Sequence, residues 1–213
     1  MKTRRLPPEN LTPGMALQLL KEGNHRFINN ISVNRDLLEL MKETKDQQYP
    51  FAAVFSCMDS RTSAELIFDQ GFGDIFSIRM AGNVISDHVL GSLEYTTAVA
   101  GAKLIVVLGH TNCGAIQGAC DHVEMGYLTG LLEQIKPAMD QVTDITENRN
   151  GKNPEFVNEV AGIHVRKTVH EIHEKSHVIR SLLAEKKIGI IAGMYNLSTG
   201  EVTFFDEEAD FSV

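Results

Sequence analysis

The segment Phe51-Ala52-Ala53-Val54-Phe55 is apolar at every position, with no polar residue alternating through it. A run this short is too brief for a helix. It reads as a strand buried on both faces, which occurs when helices cover both sides of a parallel sheet. Lys103-Leu104-Ile105-Val106-Val107-Leu108 repeats the pattern. Residues 74–78 and 188–195 are further strand candidates, and helical patterns occupy 63–68, 87–100 and a long region over 113–183. Strands alternating with helices predict an α/β fold with a mainly parallel four-stranded sheet flanked by helices. The last of these strands turns at Ser198-Thr199-Gly200 into residues 202–205, which predicts an antiparallel edge strand.

The N-terminal region is helical by pattern. Thr12-Pro13 offers an N-cap and a proline at the first helical position, and Met15, Leu19, Leu20 and Phe27 follow at helical spacing. A second short helix is expected over 36–45. A length of 213 residues suits one domain at ~150 residues per domain. Residues 1–213 are therefore read as a single domain, with 1–46 as a helical arm. Such an arm is too small to bury a core of its own and is expected to pack on a partner chain as a dimerisation arm. Asn148-Arg149-Asn150-Gly151-Lys152-Asn153-Pro154 reads as a surface loop between helices, and Asp206-Glu207-Glu208-Ala209-Asp210 as a solvated tail.

Charge narrows the partners. With 28 acidic against 20 basic side chains, the formal charge is -8. That disfavours a nucleic-acid surface, which needs clustered cations, and an anionic membrane. No apolar run approaches the ~20 residues of a membrane span. Met1-Lys2-Thr3-Arg4-Arg5-Leu6-Pro7-Pro8 has no apolar stretch behind it, so no signal peptide is expected, and a cytoplasmic location follows. The chain has three cysteines, Cys57, Cys113 and Cys120, an odd and sparse count that argues against a secreted disulfide framework. They serve as ligands, nucleophiles or packing.

In open parallel sheets, ligands bind beyond the carboxyl ends of the strands. The first strand ends in Ser56-Cys57-Met58-Asp59-Ser60-Arg61 and the third in Gly109-His110-Thr111-Asn112-Cys113-Gly114. If these strands are neighbours, as in the order 2-1-3-4, both ends open into one crevice. His-x-x-Cys with a third ligand from a distant loop is zinc-ligand spacing, and three protein ligands leave a fourth tetrahedral position open. Each cysteine alone is more often a small buried apolar residue. Two of them at adjacent strand ends, with His110 and an Asp59/Arg61 pair, favour a metal. The sequence lacks Cys-x-x-Cys, which disfavours thioredoxin-like chemistry. A Cys-His-Asp nucleophile arrangement stays open, although it leaves Cys113 without a part.

Cys57-Met58-Asp59-Ser60-Arg61 followed by His110-Thr111-Asn112-Cys113-Gly114 resembles the β-class carbonic anhydrases. The resemblance covers about residues 48–119 and extends loosely to the final strands. Arg79-Met80-Ala81-Gly82-Asn83 resembles the family's Arg-Asn-Ala-Gly-Asn, and Ser92-Leu93-Glu94-Tyr95 and Ile105-Val106-Val107-Leu108-Gly109-His110 also fit. The resemblance implies one Zn2+ per chain on Cys57, His110 and Cys113, with Asp59 and Arg61 as the catalytic dyad. It implies substrate contacts from Gln48, Phe76, Ala81, Tyr95 and the Gly114 backbone amide. The implied reaction is reversible hydration of carbon dioxide to bicarbonate and a proton, by zinc-bound hydroxide that the dyad orients. A homodimer or homotetramer with the pocket near the interface is implied too. A related zinc hydrolase acting on carbonyl sulfide or carbon disulfide, and a non-catalytic zinc-binding homologue, are the alternatives. The dyad argues against the last, because storage needs no oriented water.

Two thiolates nearly cancel the metal's charge and should leave its water more basic than in a three-histidine site, so activity should rise above pH 7. Arg61 can hold Asp59 as an anion with a bidentate pair. Met58 stands where the family usually has serine, and Met80 where it has asparagine; the readings are that both repack the site wall or that they alter the rate or substrate. Some family members hold bicarbonate in a regulatory pocket with a tryptophan three residues before the first ligand. Here that position is Val54, although Arg79 and Tyr195 match the pocket's other residues, so an open site without that regulation is expected. His164, His170, His173 and His177 draw attention, and the last three share a helical face, but Arg166, Lys167, Glu171, Glu174 and Lys175 mark a solvated helix. Cys120 is expected to pack, and His25 and His88 are unassigned candidates for proton transfer.

Overall fold

The structure is a computed structural model that describes residues 11–205. The expectations for Met1–Pro8 and 206–210 lie outside the described residues. The chain forms β1 (Ala52–Ser56), β2 (Ile75–Arg79), β3 (Leu104–His110), β4 (Gly189–Tyr195) and β5 (Val202–Phe204), in the sheet order β2-β1-β3-β4-β5. The first four are parallel and β5 is the antiparallel edge, as expected. β1 and β3 are buried at every position, which is what their unbroken apolar runs require. Ser56 pairs with Arg79 on one side and Leu108 on the other, so the carboxyl ends of β1, β2 and β3 lie level. β3 runs two residues past its apolar core, because Gly109 and His110 still pair with Met194 and Tyr195.

The helices are α1 (Pro13–Ile28), α2 (Leu37–Thr44), α3 (Ala64–Ile67), α4 (Asp87–Glu94), α5 (Gly114–Cys120), α6 (Gly126–Glu133), α7 (Lys136–Gln141), α8 (Pro154–Lys175) and α9 (His177–Ala184). A π-helical turn, Tyr95–Val99, prolongs α4. The long helical region over 113–183 thus resolves into α5 to α9, with Asn148–Pro154 as the surface loop between α7 and α8. Ser176 ends α8 and caps α9 by accepting from the Ile179 amide. His177 therefore leaves the helix carrying His170 and His173, and the expected three-histidine face does not form.

The N-terminal arm divides in two. Thr12 caps α1 by accepting from the Met15 amide. Ala16, Leu17 and Leu20 of α1 pack with Ala52, Val54, Leu104 and Val106 in this chain's own core. Met15 and Leu19, expected on the buried face, point outward, since the contact stripe runs through Ala16, Leu20, Gly23 and Asn24 instead. Asn24 donates to the Ile67 and Gly200 carbonyls and accepts from the Val202 amide, which locks α1 to α3 and β5. α2 is capped by Asp36 but has no buried residue. Among the described residues no helix is long and apolar enough to cross a membrane.

Candidate metal centre

Cys57 follows β1 directly, His110 is the last residue of β3, and Cys113 caps α5. Asn112, at φ 53°, makes the left-handed step between the last two, a conformation asparagine tolerates better than most residues. One ligand atom from each of Cys57, His110 and Cys113 lies within 4.8 Å of the others, and all three residues are buried. The two sulfurs are 3.8 Å apart. Among the described residues no second group of three or more His, Cys, Asp or Glu gathers in this way.

The donor atoms are prepared for a cation. His110 Nδ1 lies 2.9 Å from the Thr111 carbonyl, which fixes the proton on that nitrogen. Nε2 is left buried with no hydrogen-bond partner, an acceptor facing the sulfurs. The Cys57 thiol is brought down chiefly by its contact with Cys113, aided by the Gly82 amide, against the opposing effect of burial. The hydrogen bond to Cys57, burial and the Cys57 charge push Cys113 upward, so Cys57 ionises first. Two sulfurs and one imidazole nitrogen form a set that suits zinc at a site with one open position.

Asp59 and Arg61 sit beside this cluster. Arg61 donates from Nε to Asp59 Oδ1 at 2.9 Å and from Nη2 to Oδ2 at 2.7 Å, a bidentate pair. Its backbone amide donates to Oδ1 as well. Arg61 holds the Asp59 carboxyl well below the usual carboxylate range. Arg61 Nη2 also reaches the Asn112 carbonyl at 3.4 Å, which ties the pair to the loop between His110 and Cys113. Arg79 donates from Nε to the Cys57 carbonyl at 3.1 Å and from Nη2 to the Asp59 carbonyl. The Thr62 hydroxyl lies within hydrogen-bonding distance of the same two carbonyls.

The other expected site residues fall in different places. Gly114 is exposed at the start of α5, with open space where a Cβ would stand. Ala81 is half-buried in the turn after β2. Gln48 is exposed in the irregular segment between α2 and β1. Phe76 and Tyr95 meet edge to face at 6.4 Å and line an open cleft of about 530 Å³ with Asp87, His88 and Ser92. None of Cys57, Asp59, His110 or Cys113 lines that cleft. Met58 is exposed and repacks no wall, whereas Met80 is half-buried between two core clusters. Val54 is fully buried in β1, Tyr195 is buried in β4, and Arg79 faces the carbonyls just named. Cys120 is buried, and burial pushes its thiol up to about 11, as suits packing.

Two residues named in the sequence take places that its patterns did not assign. His164, expected on a solvated helix, is buried on α8 with both ring nitrogens unpartnered, and burial lowers its pKa to about 4, so it packs as the neutral imidazole. Asn83 is buried at φ 56°, and its side chain bonds to both ligand-bearing strands. In the sequence it stands as the last residue of Arg79-Met80-Ala81-Gly82-Asn83, a stretch that pointed to the family but gave this residue no part to play.

A parallel sheet whose carboxyl edge carries a buried Cys-His-Cys cluster beside a carboxylate–guanidinium pair defines an α/β protein with a candidate metal centre. Comparison with known proteins narrows the class. A sequence model of the carbonic anhydrase family matches residues 52–202. The carbonic anhydrase of Mycolicibacterium smegmatis is 36% identical over 199 residues, covering 91% of this chain and 93% of the relative. Carbonic anhydrase 2 of Mycobacterium tuberculosis is 36% identical over 203 residues, covering 92% and 95%. Among solved structures, the Coccomyxa β-carbonic anhydrase in complex with acetazolamide superposes with a TM-score of 0.71 at 21% identity, covering 89% of this chain and 86% of that one. A tetrameric β-carbonic anhydrase of Sordaria macrospora gives 0.68 at 23% identity, covering 79% and 86%. The chain belongs to the β-class carbonic anhydrase family.

Proposed function

We propose that this chain catalyses the reversible hydration of carbon dioxide to bicarbonate and a proton, with one Zn2+ held by Cys57, His110 and Cys113. The observation that carries the reading is the convergence of that cluster with a bidentate Asp59–Arg61 pair tied to the loop between two ligands. When bound, zinc supplies a Lewis acid that makes a water molecule acidic near neutral pH. Asp59 stays an anion, accepts a hydrogen bond from water at the site and points a lone pair of that water towards the substrate carbon. Arg61 fixes the carboxylate in that orientation, and its link to Asn112 holds the pair in register with the ligands.

Gly114 supplies a backbone donor at the mouth of the site, and Gln48, Phe76, Ala81 and Tyr95 contact substrate. Phe76 and Tyr95 line a cleft apart from the cluster of their own chain, which supports a pocket completed between subunits. The α2 face adds support for a homodimer or homotetramer. Leu37, Leu38 and Met41 are exposed there, with none of the described residues over them, Leu38 at 67%. The tetrameric Sordaria enzymes are consistent with the larger assembly. The free cysteines suit a reducing, cytoplasmic setting.

A stopped-flow hydration assay on protein with its zinc content measured tests the reading. The expected result is one zinc per chain and rapid turnover that rises above pH 7. Hydrolysis of carbonyl sulfide or carbon disulfide without hydration of carbon dioxide would replace it with the hydrolase reading. Zinc without any turnover would leave a binding protein.

A further inference from the structure

The Ala81–Asn83 turn, which follows β2, touches the metal centre at more than one point. The Gly82 amide donates to Cys57 Sγ at 3.4 Å. The Asn83 side-chain nitrogen donates to the Phe55 carbonyl and to the Leu108 carbonyl, each at 3.0 Å. Phe55 stands two residues before Cys57 on β1, and Leu108 two residues before His110 on β3. One amide group therefore spans the two strands at the point where each delivers a ligand. The group is buried, so both bonds form away from competing water.

The turn makes demands that asparagine meets. The Val84 amide donates to the Ala81 carbonyl at 3.4 Å, and Gly82 and Asn83 between them both have positive φ, at 62° and 56°. A Cβ on Gly82 would stand 3.0 Å from Ile135 Cδ1 and 3.1 Å from Ala115 Cβ, so that position has little room for another residue. At the next position, glycine would accept the backbone but offer no donor. Aspartate would tolerate the backbone but set a carboxylate against two carbonyls. Asparagine alone of these supplies both the left-handed conformation and two N–H groups. α8 backs the turn: the Thr168 hydroxyl lies 3.5 Å from the Asn83 carbonyl.

We propose that Asn83 is a positioning residue of the metal centre: its side-chain amide bridges β1 and β3 and fixes the separation of Cys57 from His110. This rests on the reading of Cys57, His110 and Cys113 as zinc ligands. Without the bridge the two strands keep their ladder but their ends relax, and the three donor atoms lose the spacing that grips the cation. A group that orients ligands in this way commonly changes metal affinity by roughly 10- to 100-fold when removed.

The test uses the full chain, zinc-loaded and stripped, as wild type, Asn83→Gly and Asn83→Ser. Zinc affinity is measured by competition with a chelator, and ligand geometry by the visible spectrum after cobalt substitution. Asn83→Gly should weaken zinc binding by roughly 10- to 100-fold and alter the cobalt bands. Asn83→Ser, with one short donor, should fall between it and wild type. The stripped forms should still fold cooperatively, with melting lowered by the loss of two buried bonds. A folded variant with wild-type affinity and spectrum overturns the proposal. So does failure of both variants to fold with and without zinc, since Asn83 would then serve the whole fold and not the centre. A wild type that takes up no zinc, or a Cys113→Ser variant that keeps it with full affinity, would instead defeat the ligand assignment beneath the proposal.

Discussion

Asp59 has a carboxyl held low by a guanidinium that is itself half exposed, so the pair adds little to stability, and under the proposed function its part is to orient. Asp59→Asn keeps the shape and removes the anion. Turnover should fall by on the order of 100-fold or more while zinc content stays at one per chain. Unchanged turnover with full zinc would remove Asp59 from the mechanism. Arg61→Ala should act differently. Without its partner the Asp59 carboxyl returns towards the ordinary range near ~4, and the rate, which already falls on the acid side in the wild type, falls more steeply there. A pH–rate profile of the variant that keeps the wild-type shape, at whatever height, would contradict the coupling.

At the scale of elements, α1 depends on close approach and on one buried carboxylate. A Cβ at Gly23 would stand 1.8 Å from the Phe68 carbonyl oxygen, so Gly23→Ala must push α1 away from α3. A loss of ~3 kcal/mol or more in denaturant unfolding is expected, and a loss below ~1 kcal/mol would mean the helix shifts freely. Asp69, at φ 46° in the turn after α3, takes Arg26 from α1, Arg35 from the segment before α2 and the Val33 amide. Burial would push its carboxyl up, but Arg35, Arg26 and Val33 together outweigh burial and hold it below the ordinary value. A depressed folded-state pKa gives stability that is present above the unfolded value near ~3.9 and is lost as the pH falls below it. Asp69→Asn should therefore cost about 1–3 kcal/mol at neutral pH and flatten the acid side of the stability curve. Equal acid sensitivity in wild type and variant would assign that sensitivity elsewhere.

The molecule as a whole keeps α1 for its own core and leaves the apolar side of α2 outside it. Leu38→Glu on α2 should shift the mass measured by light scattering towards the monomer and lower turnover, while the monomer keeps its zinc. An unchanged assembly would clear α2 of that part. Much of this architecture was legible in the sequence. Unbroken apolar runs at 51–55 and 103–108 require strands covered on both faces, and parallel neighbours follow from the helices between them. His-x-x-Cys and Cys-x-Asp-x-Arg are local patterns, so spacing drew attention to these residues, and the resemblance to a family then implied their roles as ligands and dyad. What spacing could not decide was anything set by contacts between distant segments. Residues 13 to 28 show a helical period, but which stripe is buried depends on the surface it meets, and the structure turns Met15 and Leu19 outward. His164 lies among charged residues in sequence, yet α8 rotates it inward against a turn some 80 positions earlier. Asn83 bonds to two carbonyls that belong to neither its own strand nor each other's. Periodicity and spacing are properties of a short stretch of chain and survive in the sequence. The separation of β1 from β3 at the point where they present Cys57 and His110 is a property of the packed sheet, and only the tertiary structure fixes it.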